Sequence, residues 1–395
     1  MLQLSTETVA PGSYIFVEDK EPKDFFYIIR EGSVQGIRRY SKQSRTYDAG
    51  SVIGVVPCMT GRSQTESVIA KSQVTLVKVL RSQYEEFIKG NPTIAMKIVQ
   101  MLSRDLRSFN EAYDKKTGGL SRMKDRTVKL YETARYYEEK EMTDVAAFAY
   151  YQYMKEAPDG MYAGECRRAY EKIQSKSHAV YLEPAEETNR FYPKGTMVFA
   201  EGQTGSEMFI IGSGAVCISK VSGGEEQAIV YFKKGDQLGE MALLENEFRS
   251  ANAITTEDSN LIVLNRKNFD LMVTTQPQYI LKLTATLANR YWYSYRRYGN
   301  ACLSDSRERL VDMLAIQVEM KKEGNIRPTN YETGLKVQDM MVLCNLEGAG
   351  PDEVLYLLQG TQDVAVNGGK VVIKNVESLL KQAEFYRKKR DKQTV

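Results

Sequence analysis

Histidine is almost missing from this sequence: His178 is the only one in 395 residues. Metal sites built on several histidines, Ser-His-Asp triads and Cys-His pairs with a remote histidine are thereby disfavoured. His178 itself follows Ser175, Lys176 and Ser177 and reads as a solvent-exposed residue. The five cysteines, Cys58, Cys166, Cys217, Cys302 and Cys344, contain no CxxC pair and are odd in number. That pattern fits the reduced thiols of a cytosolic protein rather than a disulfide framework. A run of about 18 apolar residues is also lacking, and the opening MLQLSTETVAPGSY has no basic segment followed by an apolar one. Neither secretion nor membrane contact is expected, and the expected location is cytoplasmic. Strong net charge is absent too, since 54 basic and 51 acidic residues leave +3, so any nucleic-acid site must be local. What is present is ordinary for a folded chain: 42% hydrophobic and 27% charged residues. At about 100–200 residues per domain the length predicts two to four domains.

An internal repeat organises those domains. PGSYIFVEDKEPKDFFYIIREGSV near the N-terminus and PKGTMVFAEGQTGSEMFIIGSGAV after residue 192 share Gly, an apolar strand, a Glu (Glu18, Glu201), a polar loop and a second strand ending in Gly and Val. The likeness continues without a gap through the stretches beginning at Ile53 and Leu238, and each copy is followed by an amphipathic helix with matching Pro92 and Pro277. Within the second copy, AVCISKV and AIVYF flank Ser222-Gly223-Gly224-Glu225-Glu226, a hairpin signal. Short strands at regular spacing suggest a small barrel or jelly roll. From 278 to 298 the period becomes helical (Ile280, Leu283, Leu287, Tyr291, Tyr295, Tyr298), a stripe suited either to its own core or to the seam of a homodimer.

Residues 121–178 carry no strand signal. Leu130, Ala134, Tyr137, Ala146, Tyr150, Tyr153 and Pro158 fall at the spacings of one helical hairpin and resemble a tetratricopeptide repeat. A single such repeat cannot bury its own face and must pack on a neighbour or on a protein partner. SKSHAVYLEPAEETN then reads as a linker.

The richest chemistry lies in Gly239-Glu240-Met241-Ala242-Leu243-Leu244 followed by Arg249-Ser250-Ala251. A Gly lets the backbone approach an anion, and a helical turn opening there presents free N–H groups. Arg249 can grip a phosphate through two charge-assisted bonds. Glu240 makes sense beside a phosphate if it accepts from a sugar hydroxyl, so the set asks for a nucleotide. GEMALL with RSA nine residues after the Glu resembles the phosphate-binding cassette of cyclic nucleotide-binding domains, found in Crp/Fnr-like regulators and protein kinase A regulatory subunits. The resemblance implies Glu240 on the ribose 2′-hydroxyl, Arg249 on the cyclic phosphate, and the Ala242 N–H and Ser250 hydroxyl as further donors beside Gly239 and Met241. It also implies Ser294, on the long helix, near the base edge. In the first copy Val55, Pro57 and Gln64 stand where Glu240, Ala242 and Arg249 stand in the second, while Gly54 matches Gly239. Without the Arg charge and with no N–H on Pro57, that copy is expected not to bind; Arg62, the nearby substitute charge, lies two positions off register.

Residues 301–375 continue in Crp-like order. A helix around Arg307 to Val318 precedes Val337–Cys344 and Pro351–Leu358, resembling a helix-turn-helix, and a two-stranded wing turns at Gly368-Gly369. The second helix offers Asp352, Glu353 and Tyr356 where a groove reader needs basic or amide groups. From Asp305 to Gly360 six basic residues face ten acidic ones, so steering toward DNA is repulsive. Against this stand Lys370, Lys374 and the basic tail Arg387 to Arg390.

The expected fold is therefore multidomain α+β. It comprises a degenerate cyclic nucleotide-binding jelly-roll barrel (1–120), a helical TPR-like spacer (121–178), a second barrel with an intact cassette and a long helix (179–300), and a winged-helix-like domain with a basic tail (301–395). The expected function is a cytosolic cyclic nucleotide receptor, with cAMP as ligand, signalling to a winged-helix-like effector and to protein partners. Neither a resident cofactor, a metal nor an enzymatic cluster is expected. Two alternatives stand beside it: a scaffold that binds no nucleotide or responds to a cyclic dinucleotide, and a Crp-like DNA-binding transcription regulator.

Overall fold

The computed structural model describes residues 2–39, 43–117, 126–222, 224–245, 247–321, 328–346 and 348–393. The expected start of the spacer at 121–125, Gly223 of the hairpin turn and Glu347 before the second C-terminal helix lie outside the described residues. The chain forms two compact units, one from Met1–Gly90, Asp105–Gly119 and Thr284–Val395 and the other from Asn91–Arg104 and Leu120–Leu283.

In chain order the first copy contains β1 (Ser5–Val9), β2 (Tyr14–Phe16), β3 (Phe25–Glu31), β4 (Ser33–Arg38), β5 (Gln43–Asp48), β6 (Val52–Ile53), α1 (Val55–Thr60), β7 (Ser67–Ala70), β8 (Val74–Leu80), α2 (Tyr84–Gly90) and α3 (Pro92–Thr117). The middle region is helical: α4 (Arg126–Glu139), α5 (Thr143–Glu156) and α6 (Ala163–Ile173). The second copy contains β9 (Asn189–Tyr192), β10 (Met197–Phe199), β11 (Glu207–Ser213), β12 (Ala215–Ser222), β13 (Glu225–Lys233), β14 (Gln237–Leu238), α7 (Glu240–Glu245), β15 (Asn252–Thr255), β16 (Ser259–Asn265), α8 (Arg266–Thr275) and α9 (Pro277–Ala301). Last come α10 (Ser306–Met320), β17 (Thr329–Lys336), α11 (Val337–Leu343), α12 (Pro351–Gln359), β18 (Val364–Asn367), β19 (Lys370–Asn375) and α13 (Val376–Gln393). Proline opens both α3 and α9, where a missing N–H costs nothing. Both helices begin in one unit and end in the other.

The two barrels are built alike. The first has sheets ordered β1-β8-β3-β6 and β2-β7-β4-β5, and the second β9-β16-β11-β14 and β10-β15-β12-β13. Alternation of buried and solvated positions along β16 from Ser259 to Val263 follows the two-residue period of a half-buried strand. Phe16, Tyr27, Ile29, Val34 and Leu76 fill the first core, and Phe199, Phe209, Val216, Leu261 and Val263 the second.

In the first unit, the part of α9 beyond Thr284 packs on the first barrel. Tyr84 Oη lies 3.1 Å from Thr284 Oγ1, and the Phe109 ring meets Tyr291 and Tyr295 edge-on. The helical stripe that left a homodimer seam open is thus covered, from Leu287 to Tyr295, within a single chain. α10 is capped by Asp305, whose carboxylate accepts from Glu308 N. It is then held to α9 and α13 by a buried ionic network. Arg296 and Arg387 both reach Asp312, Asn300 donates to Asp312, and Arg390 donates to the Gly299 carbonyl. The hairpin expected to turn at Gly368-Gly369 is present as β18-β19, and the C-terminal sheet adds a strand to it. The sheet has three strands, β17-β19-β18, because the alternating segment Thr329–Lys336 pairs antiparallel with β19.

In the second unit, Leu130, Ala134, Tyr137, Ala146, Tyr150 and Tyr153 share one core with Met197, Ala200, Val221 and Ile254 of the second barrel. The helical segment therefore has its apolar face covered by its neighbour. His178 is exposed, and its backbone N–H donates to Asp144.

Candidate functional site: the second-barrel cassette

The cassette is set by β14 running directly into α7 through Gly239, whose φ of +77° is strained for any side chain. A Cβ there would also fall 2.6 Å from Arg249 Nη1. Glu240 opens α7, which is too short to use more than its first turn, and both Glu240 and Ala242 are buried. Arg249 returns from the following loop. Its backbone is clamped by two bonds, Arg249 N to Gln203 O at 2.7 Å and Gly202 N to Arg249 O at 2.9 Å. The structure thus brings Gly239, Glu240, Met241, Ala242, Arg249 and Ser250 together within the second unit.

The state of the Arg249 side chain is the most informative feature. It is buried, with the guanidinium 4.4 Å from the centre of the Phe199 ring, and Nη1 donates to the Gly239 carbonyl at 2.7 Å. Its Nε has no hydrogen-bond partner among the described residues. Glu207 faces it, yet both Glu207 oxygens are taken by Arg190, at 2.7 and 2.9 Å. Burial consequently pushes Arg249 down to about 10, against the opposing pull of Glu207 and Glu240. The buried cation is thus held by a carbonyl and a ring face, with Nε left unpartnered among the described residues.

Three contributors were not found by reading the sequence. Gly205 is required because a Cβ there would lie 2.5 Å from the Arg249 guanidinium carbon; its counterpart in the first copy is Pro22, a difference visible in the aligned repeats. Phe199 supplies the ring under the guanidinium, and Arg190 neutralises Glu207. Ser294 falls in the other unit, where its hydroxyl donates to Asn110 at 2.9 Å.

The first copy keeps the same backbone and changes the chemistry. Gln64 is held by the equivalent clamp, Asp19 N to Gln64 O and Gln64 N to Lys20 O, both at 2.9 Å. Gly54 has φ of +80° and closes on the Phe16 ring. Several of its charged groups bond within the first unit. Arg62 donates to Asn289 at 2.7 Å and stacks on Trp292. Arg38 bonds Tyr291 Oη, and Glu18 accepts from Tyr295 Oη and Arg39 N. Desolvation raises the Glu18 carboxyl to about 7, although both of those bonds pull the other way.

With this geometry in place, comparison with known proteins is direct. Residues 6–91 and 189–276 each match the cyclic nucleotide-binding domain family. The Cyclic AMP receptor protein of Thermus thermophilus is 33% identical over 102 residues, covering 26% of this chain and 47% of that protein. Human cGMP-dependent protein kinase 2 is 26% identical over 203 residues, covering 51% of this chain and 26% of the kinase. The chain thus spans less than half the length of these two relatives. Among solved structures, the Catabolite Activator Protein of Thermus thermophilus aligns over 50% of this chain and 90% of its own at 23% identity, with a TM-score of 0.28. The chain thus carries two domains of the cyclic nucleotide-binding family, and the proteins it resembles include Crp-type regulators.

Proposed function

We propose that this protein is a cAMP receptor that binds one nucleotide in its second barrel and passes the bound state along α9 to its C-terminal elements. The observation that carries the reading is Arg249, buried, incompletely bonded and depressed in pKa beside a carboxylate that another arginine already occupies. A cyclic phosphate would give it two charge-assisted bonds. Glu240 accepts from the ribose 2′-hydroxyl, Gly239 and Met241 bring backbone close, and the Ala242 N–H and Ser250 hydroxyl complete the phosphate contacts. The choice of cAMP rests on Ser250 after the arginine, which resembles bacterial cAMP receptors; the relatives named above include both a cAMP and a cGMP protein.

Transmission follows from two rods. Ser103 of α3 donates to Glu245 at the end of α7, and Lys282 in the first turns of α9 donates to the Gly235 carbonyl. Farther along, α9 is bonded to α10 through Arg296 and Asn300. A ligand that binds one arrangement of the cassette better than another shifts the population of both rods. The C-terminal elements are read as protein-facing. Arg387, Lys389 and Arg390 are spent on Asp312, Glu308 and the Gly299 carbonyl, while α12 exposes Asp352, Glu353 and Tyr356.

Thermal unfolding with cAMP tests the binding step. The wild type melts higher with ligand and Arg249→Ala does not respond; an undiminished response in Arg249→Ala would place the site elsewhere. Retention of random duplex DNA at moderate salt would overturn the protein-facing reading.

A further inference from the structure

β13 is the outer strand of its sheet, and among the described residues it pairs with β12 alone. Such an edge carries a row of unpaired backbone groups and is normally blunted by charge, brevity, a bulge or cover. This one is nine residues long and apolar at its centre. Ile229 is 54% exposed, Val230 37% and Tyr231 59%. Ile229 is also the extra residue of a bulge, since Ile218 pairs with Val230 and Ser219 with Ala228, which leaves it outside the ladder. The matching strand of the first barrel, β5, reads QSRTYD and presents no comparable apolar run; its Arg45 is paired with Asp105 and its Tyr47 is buried. The feature is therefore not a property of the repeated fold.

Charge along the segment is ordered. Glu225 and Glu226 stand at one end, and Lys233 and Lys234 at the other, all four exposed. Laid beside a parallel copy, like charges would meet. Laid antiparallel across a two-fold axis between Ile229 and Val230, Glu225 faces Lys234 and Glu226 faces Lys233, twice over, around an apolar centre. We infer that β13 is a self-complementary edge through which two copies of this chain pair antiparallel into a two-fold dimer. The stripe of α9 is already covered inside one chain from Leu287 to Tyr295 and is not offered to a second copy. Pairing here leaves the cassette residues untouched, and the inference does not depend on which nucleotide binds.

The test is sedimentation of the full-length chain across micromolar concentrations. Wild type is expected to associate to a dimer and Ile229→Lys to remain monomeric. Ile229 is more than half exposed, and an unchanged melting temperature checks that the variant stays folded. Glu225→Lys and Lys234→Glu are each expected to weaken association about tenfold. An equimolar mixture of the two, or the double variant E225K/K234E, is expected to recover it. A monomeric wild type, a dimer that survives Ile229→Lys, or a mixture no tighter than its components would each overturn the proposal.

Discussion

The two barrels share a strand order, a glycine at the mouth of a short helix and a pair of backbone bonds around one residue; they differ in what that residue is. In the second barrel it is Arg249, buried and short of partners. In the first it is Gln64, and nearby charged groups bond α9: Arg62 to Asn289 and Trp292, Arg38 to Tyr291, and Glu18 to Tyr295. The lesson is that duplication preserved the scaffold while the two faces took different partners. One barrel keeps a buried cation short of hydrogen-bond partners. Its twin has become the seat for a helix that starts at the other.

That contrast can be broken most severely at Arg249. Its removal takes away two charge-assisted bonds and should weaken cAMP affinity by about 10²–10³-fold, whereas Gln64→Ala should leave it unchanged, as read by equilibrium binding. The next largest effect is on stability. Trp292 is almost fully buried and lies under the Arg62 guanidinium, so Trp292→Ala should cost about 3–5 kcal/mol in chemical unfolding. Such a loss would mark the first barrel as a structural seat.

Glu18 supplies a pH signature at the same seat. Folded, it holds its proton up to about pH 7, while unfolded it releases it near 4.5. The folded state therefore binds more protons in that window, and stability should fall as pH rises through it, by at most about 3 kcal/mol. Glu18→Gln should flatten the slope of melting temperature between pH 5 and 7.5, and an unaltered slope would remove Glu18 from the account. The smallest expected change is none at all. Grafting the cassette into the first barrel with Val55→Glu, Pro57→Ala and Gln64→Arg should create no second nucleotide site, because the surrounding groups serve α9.

Much of this contrast was legible in the sequence, because it is written in adjacent residues. Gly, Glu, Ala and Arg at fixed spacing declare the cassette, and Pro57 and Gln64 declare its loss. The destinations of long elements were not legible. Periodicity announced that Tyr291 and Tyr295 face something apolar, but a stripe carries no address, and the surface it meets is nearly 300 residues away along the chain. The same limit hid β17, whose alternation is modest until β19 is beside it, and Arg190, whose role depends on Glu207 being close in space. Gly205 was within reach, since Pro22 in the aligned copy marks a position where the two barrels diverge.

Isothermal titration of the intact chain with cAMP addresses the central claim most directly. The account predicts one site per chain in the wild type and in Gln64→Ala, and no binding heat in Arg249→Ala. Two sites per chain, or an isotherm that survives Arg249→Ala, would contradict it.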